Sequence, residues 1–116
     1  MNIERLDPGG GRFCQAVRCG DLLFISGQYG DCNKDMKGQA KEIFDKCDAI
    51  LARYGIDKTN IVFVTIGLSD IHNNFAMFNE AWDEWVVKGK EPARTCLGTD
   101  TAFPGYLAEV SFVAAL

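Results

Sequence analysis

Residues 39–68 read QAKEIFDKCDAILARYGIDKTNIVFVTIGL, and this stretch decides the fold. In its first half Ala40, Ile43, Phe44, Cys47, Ile50, Leu51 and Tyr54 recur at spacings of three and four. That period puts them on one face and predicts an amphipathic helix over 39–54. Gly55 stands where a helix C-terminal cap belongs. The second half, Ile61 to Leu68, is rich in β-branched residues and apolar at both parities. It predicts a strand buried on both faces. A one-sided helix feeding a two-sided strand implies layers, with helices packed on a sheet.

The flanking segments fill in those layers. Upstream, Phe13–Arg18 and Leu22–Ser26 read as two strands, with Gly20-Asp21 as the turn between them. The Gly9-Gly10-Gly11 run after Pro8 reads as a turn or flexible loop. Downstream, Phe75, Phe78, Trp82, Trp85 and Val86 form an apolar stripe and predict a second helix over 74–87. Asp70, Asn73 and Asn74 are its N-cap candidates, and Gly89 and Pro92 end it. Arg94–Leu97 and Leu107–Ala115 read as the last strands, joined by a loop with Pro104-Gly105. In the final strand Val110, Phe112 and Ala114 share one face, and Glu109 and Ser111 share the other with Leu107 and Val113. The expected fold is α/β (α+β), a two-layer sandwich of order β-β-α-β-α-β-β in one domain over 1–116. Its second sheet face is too apolar for full exposure, so self-association is expected.

Composition narrows the partners. The formal net charge is −4, and Glu42, Asp45 and Asp48 interleave with Lys37, Lys41 and Lys46. A phosphate backbone is bound mainly through clustered Lys and Arg, so nucleic acid is not an expected partner. No apolar run is long enough to cross a bilayer, and no N-terminal apolar segment has the flanks of a signal peptide. The expected location is the cytoplasm. Five cysteines at irregular spacing, with no C-x-x-C, read as reduced thiols. His72 is the one histidine, expected in a solvated loop before the second helix. No metal site is expected from these ligand types.

Catalytic motifs are sparse. Ser26-Gly27-Gln28 is not the G-x-S-x-G nucleophile elbow. A nucleophilic Cys96 lacks any neighbouring histidine in the sequence. Arg94, at the start of a strand after Pro92-Ala93, carries a guanidinium fork suited to a carboxylate. Glu109 is one carboxylate in a largely apolar strand. If these two strands pair, the side chains approach one pocket. Spacing leaves the other reading open: Arg94 in a surface ion pair and Glu109 merely solvated.

Several segments together resemble the RidA (reactive intermediate deaminase A, or YjgF) family. They are Cys14-Gln15-Ala16-Val17, Gly20-Asp21-Leu22-Leu23-Phe24-Ile25-Ser26-Gly27-Gln28, Phe78-Asn79-Glu80-Ala81-Trp82, Pro92-Ala93-Arg94-Thr95-Cys96 and Ala108-Glu109-Val110. The resemblance implies a chorismate-mutase-like fold and a homotrimer with ligand clefts between subunits. It implies hydrolysis of enamines and imines such as 2-aminoacrylate to 2-keto acids and ammonia, without metal or organic cofactor. By the same resemblance Arg94 binds the substrate carboxylate, Glu109 orients or activates water, and backbone groups at Gly27 and Cys96 hold the ligand. The archetypal deaminases carry Tyr where this chain has Phe13, which removes a hydrogen-bonding phenol. A non-catalytic trimer binding small carboxylates or 2-keto acids is the alternative. An endoribonuclease or translation inhibitor, a label attached to the family, fits the acidic charge poorly.

Overall fold

The computed structural model describes residues 2–116. Its elements are β1 (Ile3–Gly9), β2 (Phe13–Cys19), β3 (Leu22–Gln28), α1 (Met36–Arg53), β4 (Ile61–Leu68), α2 (Ile71–Trp85), β5 (Ala93–Gly98) and β6 (Ala108–Ala115). A short 3-10 turn, Lys58–Asn60, leads into β4. The six strands form one sheet in the order β1-β2-β3-β6-β4-β5.

The layered α+β architecture is the expected one, with two corrections at its edges. The first is an added strand. β1 pairs antiparallel with β2, so the order begins β-β-β. Its sequence IERLDPG is exposed at six of seven positions, so no burial period marks it. Pro8 is tolerated because β1 is an edge strand. Gly9 closes that strand, and the turn runs through Gly10, Gly11 and Arg12, with the two glycines at φ +67° and +74°. The second correction concerns helix starts. α1 begins at Met36, because the Asp35 carboxylate caps it by accepting from the Gly38 N–H at 2.9 Å. α2 begins at Ile71, which puts His72 in its first turn rather than in a loop. Asp70 is the N-cap residue, yet its carboxylate accepts from the Asn73 side chain instead of from the helix backbone.

Alternation then builds the core. Leu23 and Ile25 of β3, Val64 and Ile66 of β4, and Ala108, Val110, Phe112 and Ala114 of β6 are buried on the helix side. α1 adds Ile43, Phe44, Cys47 and Leu51, and α2 adds Phe78, Trp82 and Trp85. Phe44 stacks on Trp85 at 4.4 Å and 7°, which locks the two helices together. Gly55, at φ +70°, ends α1 as expected, with Ile56 N–H donating back to the Leu51 carbonyl.

The opposite sheet face has no layer over it. Register aligns Val17, Phe24, Val113, Phe63 and Ala93 in one row across five strands. Phe24 and Phe63 remain 44% and 38% exposed there. No helix among the described residues is long and apolar enough to cross a membrane.

Candidate functional site

β6 runs between β3 and β4, antiparallel to both. β5 pairs with β4 in parallel, on its far side. The two strands carrying Glu109 and Arg94 are therefore not neighbours, although they are consecutive in the chain. The pairing that would have joined the two side chains is not made. Arg94 registers with Val64, whose own partner on β6 is the buried Phe112. Glu109 registers with Gly67, three residues along β4 and so of opposite parity. Arg94 faces the helices and Glu109 the uncovered side. Two strand spacings across and three residues along separate their backbones by about 14 Å.

Arg94 is built into the helix layer. Its Nη2 donates to Asn79 Oδ1 at 2.8 Å, and its guanidinium carbon lies 5.0 Å from the centre of the Trp82 ring. Asn79 and Trp82 are one helical turn apart on α2, so a single face supplies both supports. Nη1 is covered and has no hydrogen-bond partner in the chain. Among the ion pairs of the described residues none involves Arg94, so the surface ion-pair reading does not hold. Cys96 shares this face, beside a cleft of about 290 Å³ that it lines with Ile71, His72 and Phe75. Burial raises the Cys96 thiol above its ordinary pKa, against the lowering effect of the Arg94 charge.

Glu109 lies in a different setting. Its carboxylate sits directly over Gly27: a Cβ there would fall 2.8 Å from the carboxyl carbon. A register shift between Ile25 and Gln28 turns Gly27 toward this side. Gly67 flanks Glu109 on β4, with the Thr99 methyl packed over it. Tyr29 is close enough for its phenol to feel the Glu109 charge. Burial first, and the Glu109 carboxylate second, raise the Tyr29 phenol above the usual tyrosine value.

The structure thus brings Gly27 and Glu109 together and sets Arg94 with Cys96 apart from them. Phe13, 57% exposed, is in β2, two strands from β6 and four from β5. Sequence reading assigned no role to Asn79, Trp82 or Tyr29. Asn79 was detectable in principle, as a polar residue beside the apolar stripe of α2 and three residues from Trp82. Tyr29 carried no local signal, because the Glu109 charge that reaches it comes from 80 residues further along the chain.

Comparison with known proteins adds the family. The model described as Endoribonuclease L-PSP matches residues 4–116. The chain is 34% identical over 116 residues to the RutC family protein YoaB of Escherichia coli K12, covering all of both chains. A Neisseria meningitidis protein, NMB1025 of the YjgF family, has 30% identity and a TM-score of 0.93, covering 99% of this chain and 95% of that one. A Yersinia pestis protein of the Rid family, at 24% identity and TM-score 0.86, shares the fold across 99% of this chain and 100% of its own. With a family model spanning nearly its whole length and relatives of matching extent, the chain belongs to the RidA/YjgF family, the group also known by the names RutC and endoribonuclease L-PSP.

Proposed function

We propose that this protein is an enamine/imine deaminase, releasing ammonia and a 2-keto acid from 2-aminoacrylate-type intermediates without a metal or cofactor. One observation carries the reading: Arg94 is a half-buried guanidinium steadied by Asn79 and Trp82, with Nη1 unpartnered and no carboxylate of its own. An unpaired buried donor costs about 1–3 kcal/mol, which a ligand carboxylate recovers. Arg94 holds the substrate's acid group and so fixes the C=N carbon relative to water. Glu109 takes a proton from that water as its oxygen bonds to the carbon. That proton passes to the imine nitrogen to give the carbinolamine; the carbinolamine hydroxyl then gives its proton to the amine nitrogen as C=O forms and the C–N bond breaks, and ammonia leaves.

Because Arg94 and Glu109 of one chain face opposite ways, the reading requires a site completed between copies. The apolar row through Phe24 and Phe63 supports association, and a cytoplasmic homotrimer is the proposed assembly. The test is ammonia release from imino acids generated enzymatically, with wild type and Arg94→Ala. Loss of the guanidinium is expected to lower kcat/KM about a hundredfold or more, in line with a lost charge-assisted pair. Undiminished activity in Arg94→Ala would remove the assigned role.

A second reading has one specific support. Phe13 offers an exposed apolar ring in place of a phenol. A trimer that binds 2-keto acids without turnover predicts calorimetric binding and no ammonia release. The net charge of −4 weighs against cleavage of RNA.

A further inference from the structure

Three contacts set α2 against β5 with their chain directions opposed. Ile71 meets Gly98, Phe75 lines a cleft with Cys96, and Asn79 accepts from Arg94. The pitches match. Two residues of strand advance about 6.6 Å and four of helix about 6 Å, so one face of each stays in step. The level at Gly98 is closed: a Cβ there would stand 2.7 Å from Ile71 Cγ2, so Ile71 takes the space that a side chain would fill. The level at Arg94 is charged, with the guanidinium held by Asn79 and the Trp82 ring and Nη1 left without a partner. Between these two lies the cleft of about 290 Å³, lined by Ile71, His72, Phe75 and Cys96. The Phe75 ring is 41% exposed, apolar surface that a ligand can cover. Burial raises the Cys96 thiol above its ordinary pKa, so at neutral pH it offers a neutral, weakly polar wall.

We propose that this cleft is the side-chain pocket for the acid held at Arg94, and that Phe75 and Ile71 make it select 2-imino acids with branched aliphatic side chains. The proposal rests on the assignment of Arg94 to the substrate carboxylate in the deaminase reading above. With Nη1 on the carboxylate, the carbon chain runs toward the Cys96 level, about 6.6 Å along the strand. The last carbon of 2-aminoacrylate lies about 2.5 Å from its carboxyl carbon and leaves the cleft unfilled. A leucine-type side chain continues for about two further C–C bonds and lays its methyl groups on Phe75 and Ile71. Each methylene so buried is worth about fourfold in affinity. The gain is made in ground state and transition state alike, so it lowers KM and leaves kcat nearly constant.

The experiment measures ammonia release from imines generated enzymatically from alanine, valine and leucine, with calorimetric binding of the matching 2-keto acids, for wild type, Phe75→Ala and Phe75→Leu. Phe75 is partly exposed, so its truncation leaves the fold standing, as a thermal melt verifies. For wild type, KM is expected to fall about tenfold from the alanine-derived to the leucine-derived imine, with kcat within about threefold. Phe75→Ala loses most of that preference and leaves the alanine-derived imine within about twofold, whereas Phe75→Leu, which keeps an apolar wall, retains most of it. The readout is a ratio between substrates within one preparation, which a merely structural role does not move. Equal KM values across the series, or a preference that survives Phe75→Ala intact, overturn the pocket and leave the deaminase reading standing. A wild type that releases no ammonia yet binds the 2-keto acids with the same gradient, lost in Phe75→Ala, overturns the deaminase reading and keeps the pocket. Neither turnover nor a gradient in binding overturns both.

Discussion

Glu109 rests on Gly27 with no room for even a methyl group between them: a Cβ on residue 27 would stand 2.8 Å from the carboxyl carbon and 2.9 Å from Cγ. The obstacle is the end of a flexible, exposed side chain rather than backbone. Gly27→Ala is therefore expected to cost little stability, about 1 kcal/mol or less, because Glu109 swings aside. The carboxylate leaves its place in doing so. Thermal melts and imine hydrolysis measured on the same preparation check this: Tm nearly unchanged, kcat down about tenfold or more. A proportionate fall in both would mean that Gly27 serves the fold.

Gly30 presents the opposite case. A Cβ there meets the Cα and carbonyl oxygen of Gln39, both at 2.7 Å and both fixed in the first turns of α1. The chain must shift to admit it. Gly30→Ala is expected to destabilise by about 2–3 kcal/mol, lowering Tm by roughly 10 °C. Denaturant unfolding is the direct measurement. A change within about 0.5 kcal/mol would show that α1 yields there.

Asn79 steadies Arg94 with a neutral oxygen. Asn79→Asp substitutes a carboxylate of nearly the same shape. It pairs with the guanidinium and competes with an incoming carboxylate ligand. KM for imino acids, or Kd for 2-keto acids, is expected to rise about tenfold, with a smaller change in kcat. Calorimetry with wild type and variant reads the affinity. Equal affinities would separate Arg94 from carboxylate binding.

The thiols differ in reach and in proton affinity. Cys32 is exposed, Cys96 half-buried and Cys47 fully buried. Burial above all, with the Asp48 charge adding to it, pushes the Cys47 thiol far above its ordinary range. Alkylation at neutral pH is expected at Cys32 first, slowly at Cys96, and at Cys47 only after unfolding. Arg94→Ala removes the charge that lowers the Cys96 pKa, so its labelling slows further. The sign for stability follows. The folded state keeps the Cys47 proton when the unfolded chain loses it, so stability is retained below the ordinary thiol pKa. It falls as pH rises above about 8.5. Denaturant unfolding against pH shows a flatter alkaline limb in Cys47→Ala.

Period explains which parts of the fold were legible. α1 and β4 announce themselves, because one buries a stripe and the other both faces. β1 hides, since an edge strand exposed at nearly every position needs no apolar alternation. His72 reads as a loop residue because the first turn of α2 lacks the apolar stripe that marks the rest of the helix. Arg94 and Glu109 were each legible as isolated charges in apolar surroundings. Their relationship was not. Adjacency in the chain suggested adjacent strands, whereas β6 inserts between β3 and β4 and leaves β5 on the sheet edge.

Local order thus settles which residues form helices and strands, which faces are apolar, and which side chains carry chemistry. Periods of 3.6 and 2 are written into neighbouring residues. Tertiary structure decides the rest: that Glu109 meets Gly27, and that Arg94 turns to Asn79 and Trp82 on the other face of the sheet. The physical reason is register. A shift of one residue in strand pairing exchanges the two faces of a strand, and pairing between distant segments is chosen by the packing of the whole core, not by any short stretch of chain.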